Sequence, residues 1–159
     1  MRKFHLYDGY KTKDLLHYGL DHLASSITLL ETNPRLYDSA GYLAHIGIEL
    51  YLKAMMLHDI GYFVDEHKFA MLLTKKNMPK SFFNISKANI ETYDRLDQFA
   101  ELRYPRLDTS FEIGSEDANK IKYLCDEIHD CFPSALKAEI NAIDHTEKGN
   151  RILMQKKKD

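Results

Sequence analysis

A chain of 159 residues, 44% hydrophobic and 29% charged, has the length and composition of one ordinary globular domain with its own core. Seven Gly and four Pro are too few for a many-turned sandwich or barrel and favour long helices with few joints. A formal charge of -2 excludes a whole-molecule electrostatic nucleic-acid binder and leaves room only for a local basic patch.

The first predicted element is a helix beginning near Lys13 and running to about residue 32, capped by Thr12 and carrying Asp14 in its first turn. Leu16, Leu20, Leu23, Ile27 and Leu30 recur at helical spacing and make one continuous apolar face. Asn33-Pro34 ends it, because the residue before proline resists the helical conformation. A second helix is expected over about 37–59, with Gly61 as its stop. It is apolar on two sides: Leu43, Ile46, Leu50, Ala54 and Leu57 form one row, and Ile48, Leu52 and Met55 another. Such a helix belongs in the middle of a bundle. Gly41 and Gly47 each cost it about 1 kcal/mol of propensity relative to Ala, a cost that close approach of a neighbouring helix would offset.

Residues 62–66 read as a loop, followed by a short helix over Glu66–Lys76 with Phe69, Leu72 and Leu73 inward. A fourth helix is predicted over 86–102, with Ser86 as cap and Ile90, Tyr93, Leu96 and Ala100 on one face; Pro105 stops it. Residues 105–114 read as a loop. Ser115, with Glu116 and Asp117 behind it, starts a last long helix to about residue 131, and Ala118, Ile121, Cys125, Ile128 and Phe132 continue its face. Pro133 breaks or kinks that helix, and Leu136, Ile140 and Ile143 suggest that it resumes. No strand pattern and no internal repeat is visible. The chain therefore reads as all-α, an up-and-down bundle of four to five helices over residues 1–146, with a polar basic tail over 147–159.

Cys125 and Cys131 are spaced so that one helix would turn them apart, and both read as buried small hydrophobes of a cytoplasmic protein. No apolar run follows Met1-Arg2-Lys3-Phe4-His5, so no signal peptide is expected. No stretch approaches the roughly 18 consecutive apolar residues of a membrane span. The sequence carries no Gly-rich phosphate loop, HExxH, CxxC or nucleophile elbow, so no cofactor and no metal is expected. His17 and Asp21 share a helix face, but two ligands are too few to hold a metal.

One line of polar residues stands out. His45, Glu49 and Lys53 stack at successive fours along the most apolar helix, with Glu49 and Lys53 in the favoured order for a helix ion pair. Either they form a solvated edge, or they face a cleft between helices where the carboxylate holds a cation, Lys53 or Arg103. Arg103-Tyr104-Pro105 has the same two readings: a helix-end arginine favoured by the dipole, or a guanidinium fork presented from a stiff loop. His67 begins the short third helix, where it reads first as a helix-start residue.

The run from Ala40 to Leu57, with His45, Glu49 and Lys53-Ala54 in an H-x3-E-x2-L-K-A pattern, resembles the second helix of HEPN domains (higher eukaryotes and prokaryotes nucleotide-binding). Gly61 followed by His67 and Leu72-Leu73, then Leu102-Arg103-Tyr104-Pro105, then Ser115-Glu116-Asp117-Ala118, are similar to later family elements in the same order, over residues 12–132. The resemblance implies a helical bundle that usually forms a homodimer. It implies one of two roles: a metal-independent ribonuclease, often a toxin or phage-defence protein, using R-x4-6-H at the dimer cleft; or a non-catalytic module that binds a nucleotide, RNA or a partner such as a small nucleotidyltransferase.

The sequence departs from the ribonuclease pattern. The histidine due after Arg103 falls on Asp108, Thr109 or Ser110, and Arg2, Arg35, Arg95, Arg106 and Arg151 have none at the required distance either. Metal-independent cleavage needs a group to take the 2′-hydroxyl proton, and an imidazole is the usual one. The expectation is thus a non-catalytic binding module, in a toxin–antitoxin or phage-defence setting, with His45, Glu49, Lys53, His67, Arg103 and Tyr104 at its site. The alternatives are a ribonuclease with a substituted histidine and a helical interaction subunit of another polypeptide.

Overall fold

The computed structural model describes residues 1–74, 76, 90–101 and 113–143. The described chain is helical apart from one small ribbon: β1 (Lys3–His5), α1 (Thr12–Thr32), α2 (Tyr37–Ile60), β2 (Tyr62–Val64), α3 (Phe69–Leu72), α4 (Ile90–Ala100), α5 (Ser115–Cys131) and α6 (Ser134–Ile143), with one-turn 3-10 segments at Leu6–Asp8 and Pro34–Leu36. It is an all-α bundle. Six helices are described because Pro133 separates α6 from α5 and because α3 is a single turn.

The α1–α2 pair is the frame. Leu16, Leu20, Leu23, Ile27 and Leu30 are all buried, as their spacing requires. Each such side chain contributes about 1.5–3 kcal/mol by leaving water. Thr12 is the first helical residue and not the cap; Lys11 holds the cap position in extended conformation, with no side-chain bond. Asn33 is extended, as a residue before proline must be. Ser26 Oγ donates to the Ala40 carbonyl at 2.7 Å across the pair. The two helices cross where both lack a side chain: a Cβ on Gly47 would lie 2.5 Å from Leu23 Cγ and 3.0 Å from the Gly19 carbonyl oxygen. Gly41 gives way in the same manner to Ile113 and Phe99.

On α2 the row Ile48, Leu52, Met55 is fully core, with Ala54 and Leu57. Leu43, Ile46 and Leu50 are only half-buried, so the first expected row leaves the core over its N-terminal half. Gly61 ends α2 with φ +77°, the left-handed conformation that glycine takes without strain.

The expectation of no strands is corrected. Residues 62–64 of the expected loop pair antiparallel with β1, in the register Lys3 with Val64, Phe4 with Phe63 and His5 with Tyr62. Phe4 and Phe63 stack at 5.1 Å, and Lys3 Nζ sits 3.9 Å over the Tyr62 ring. The short helix also differs, spanning Phe69–Leu72 rather than 66–76. Glu66 turns its carboxylate onto the His67 and Lys68 amides, which makes a local turn in place of a helix start.

The described part of the fourth helix, α4, buries Tyr93, Leu96 and Phe99, with Ala100 half-buried. Ser86, most of the 105–114 loop and the 147–159 tail lie outside the described residues. In α5, Ala118, Ile121, Leu124, Cys125, Ile128 and Phe132 face the core. Gly114, not Ser115, occupies its cap position, and its N–H donates to Asp117 Oδ2 at 2.8 Å. Asp117 also takes Arg95 of α4 in a two-pronged pair, Nε to Oδ1 at 2.5 Å and Nη2 to Oδ2 at 2.9 Å. Cys125 is buried, while Cys131 is only partly so, contrary to expectation, because it is the last residue of its helix.

Candidate functional site

The polar line on α2 is inside the protein. His45, Glu49 and Lys53 are 3%, 7% and 5% exposed. Of the two readings of this stripe, the solvated edge is excluded for these three residues. The local reason is the helix itself: Ile48 and Leu52 are core residues, and the neighbouring face carries Glu49 to His67, Lys53 to Phe63 and His45 to Phe69.

Glu49 is the hub. Its Oε1 accepts from Lys53 Nζ at 2.6 Å and from His67 Nδ1 at 2.9 Å. A carboxylate accepts only, so Nδ1 of His67 carries the proton of that bond, and Nε2 of the neutral ring is left as an acceptor. Lys53 is further covered by the Phe63 ring, 5.7 Å from its Nζ. The second oxygen, Oε2, is not bonded in this way; His45 Nδ1 stands 3.8 Å from it. His45 packs its ring on Phe69 at 4.8 Å, and its Nε2 stands 3.6 Å from Asp97 Oδ1, too far for a hydrogen bond. Nε2 is buried and has no hydrogen-bond partner among the described residues.

Asp97, on α4, closes the site from the opposite side and was not anticipated. It accepts from the Phe69 amide at 2.9 Å and the Ala70 amide at 3.4 Å, which starts α3 and fixes the segment that bears His67. Its sequence signal was its place beside the inward face of Tyr93 and Ala100. Glu66 steadies the same turn. The Lys68 N–H bond holds its carboxyl below the ordinary value; burial pushes the other way, and the His67 N–H bond and the nearby His67 and Lys53 charges add to the lowering.

These groups line a cavity of about 330 Å³ bounded by Tyr42, His45, Ile46, Glu49, His67 and Ala100. That volume is in the range of small-ligand pockets. His67 is the gate residue, with a side chain 69% exposed. The structure thus brings together four of the expected site residues, His45, Glu49, Lys53 and His67. Arg103 and Tyr104 lie outside the described residues. His17 and Asp21 form a surface pair at 3.7 Å, and among the described residues no cluster of three or more His, Cys, Asp or Glu could hold a metal ion.

The described chain is thus a small all-α domain whose longest helix carries a buried His-Glu-Lys line against a short histidine-bearing turn. The HEPN domain model matches residues 12–135, and the chain belongs to the HEPN domain family. Comparisons with curated proteins and with solved structures yield no match. No helix among the described residues is long and apolar enough to cross a membrane.

Proposed function

We propose that this HEPN domain is a non-catalytic module whose α2 cavity takes a nucleotide, free or as a unit of single-stranded RNA, and that it works as a homodimer in a toxin–antitoxin or phage-defence setting. One observation carries the reading: Glu49 Oε2, left without a hydrogen bond among the described residues and 3.8 Å from His45 Nδ1, lines a cavity within an otherwise apolar bundle. Polar groups in such surroundings are ordinarily hydrogen-bonded, and one left unsatisfied costs about 1–3 kcal/mol, so a ligand that donates to this oxygen recovers part of that cost. The apolar walls, Tyr42, Ile46 and Ala100, suit a flat ring. The reading gives the ligand's phosphate to Arg103.

Calorimetric titration with the four ribonucleoside monophosphates and a mixed-sequence single-stranded RNA tests it. Wild-type protein is expected to bind at least one of them, Ala100→Phe to lose binding by filling the cavity, and Arg103→Ala to weaken it. Absence of binding by every ligand would overturn the proposal.

One observation favours the ribonuclease reading as a second. A carboxylate that holds Nδ1–H of an imidazole leaves Nε2 as a base, the arrangement that orients catalytic histidines. His67 would then supply from another element the imidazole missing after Arg103. Cleavage of single-stranded RNA by highly purified protein, abolished by both His67→Ala and Arg103→Ala, would promote this reading; weak or absent cleavage is expected.

A further inference from the structure

We infer that the cavity recognises the base of its ligand, through an amidine edge in which an exocyclic amino group sits beside a ring nitrogen, as in cytosine and adenine. The inference rests on the proposed nucleotide binding and adds which part of the nucleotide enters and which bases are preferred.

The polar groups in the cavity are mainly acceptors. Glu49 has no proton to give as a carboxylate, and Lys53 and His67 already occupy its Oε1. Its Oε2, 3.8 Å from His45 Nδ1, is the acceptor left open. With Nδ1 of His67 donating to Glu49, the ring's other nitrogen, Nε2, lies 3.9 Å from Asp65 Oδ1. Asp97 stands behind His45 with its oxygens turned to the Phe69 and Ala70 amides. Lys53, the one Lys or Arg at the site among the described residues, is spent on Glu49 at 2.6 Å. A phosphate placed here would face the Glu49 carboxylate, with Asp97 behind His45 and no Lys or Arg among the described cavity-lining residues. The anionic end of a nucleotide is therefore held outside, and the base enters.

The entering edge must donate to Glu49 Oε2. His45, whose neutral ring has one donor and one acceptor, can give an N–H to an adjacent ring nitrogen. A donor next to an acceptor is the amidine edge of cytosine and adenine. Uracil and hypoxanthine carry a carbonyl where these carry the amino group. They also carry a ring N–H where these carry a bare nitrogen, so in the same pose their oxygen would be set against the Glu49 carboxylate and their N–H against the His45 N–H, two mismatched pairs in place of two hydrogen bonds. Sites built to hydrogen-bond one partner reject the isostere that cannot answer them.

The test is a pairwise titration of the unmodified 159-residue chain at one salt concentration: CMP against UMP, and AMP against IMP. CMP and AMP are expected to bind tighter than their partners by roughly tenfold or more. Glu49→Gln, whose amide both donates and accepts, is expected to bring each pair to within about threefold of one another. If all four ligands bind wild-type protein within about threefold, base recognition is wrong while nucleotide binding stands. If UMP and IMP bind tighter, the donor assignment is reversed and the inference fails. If nothing binds, the failure belongs to the proposed function. The comparison among ligands needs no variant, so a Glu49→Gln protein that does not fold leaves it decisive.

Discussion

Glu49 binds one cation and one imidazole through a single oxygen, in a part of the protein that water hardly reaches. Truncation to Ala leaves the Lys53 ammonium buried without its counter-charge, so Glu49→Ala should lower unfolding free energy by about 3–5 kcal/mol in urea denaturation. Replacing both members, Glu49→Leu with Lys53→Met, should recover most of that loss, because the penalty lies in the stranded charge more than in the missing bond. A single-variant loss below about 1 kcal/mol would mean that the ammonium is solvated through the cavity mouth. The line from His45 to Lys53 was legible in the sequence because helical period is local. The His67 and Asp97 contacts were not, since they join residues 18 to 28 positions apart with no periodic trace.

Two inter-helix devices set how the elements pack. At the α1–α2 crossing the Gly47 position is closed by Leu23 on one side and by a backbone carbonyl on the other. Gly47→Ala would gain about 1 kcal/mol of helix propensity, but the carbonyl cannot swing aside as a side chain can. Overpacking of about 1–3 kcal/mol should dominate, and the thermal midpoint should fall; a rise would refute the crossing. Between α4 and α5, burial pushes the Asp117 carboxyl up, but the Arg95 bonds, the Gly114 N–H and the Arg95 charge together hold it below the ordinary value of 3.8. A carboxyl depressed on folding adds stability above its unfolded pKa and loses it as pH falls through the folded one. Wild-type protein should therefore lose stability below about pH 4 more steeply than Asp117→Asn, read from thermal melts across the acid range. Equal slopes would remove this pair from the acid limb. The helix faces involved were legible because apolar spacing reports burial. The Arg95–Asp117 pairing was not, because it depends on how two separate helices are set against each other.

At the scale of the molecule, a half-buried apolar stripe, Leu43, Ile46 and Leu50, runs along the helix that also carries the site. Tyr7, Tyr18 and Tyr123 stand well exposed elsewhere. Surfaces of this kind mark interfaces, and family membership makes a two-fold dimer the expectation. Light scattering at micromolar concentration should give twice 18.6 kDa, and a clean 18.6 kDa species would refute it. The bundle as a whole was legible, because a few long runs of helical period leave little choice of architecture. The ribbon was hidden: strands of three residues are too short to show alternation, and their pairing spans the whole α1–α2 hairpin.

That ribbon makes the first residues a mechanical tether for a distant turn. Lys3 opposite Val64 returns the chain to its own beginning, and the Asp65 amide donates to the Arg2 carbonyl at 2.8 Å, two residues before His67. A pull on this strand is thus transmitted to the turn that bears His67. Deleting residues 1–8 should leave the helical circular dichroism near wild type yet weaken nucleotide binding, chiefly through faster dissociation, with no cavity residue changed. Moving an affinity tag from the amino to the carboxyl end should have the opposite sense, tightening binding wherever the leading tag had strained the tether.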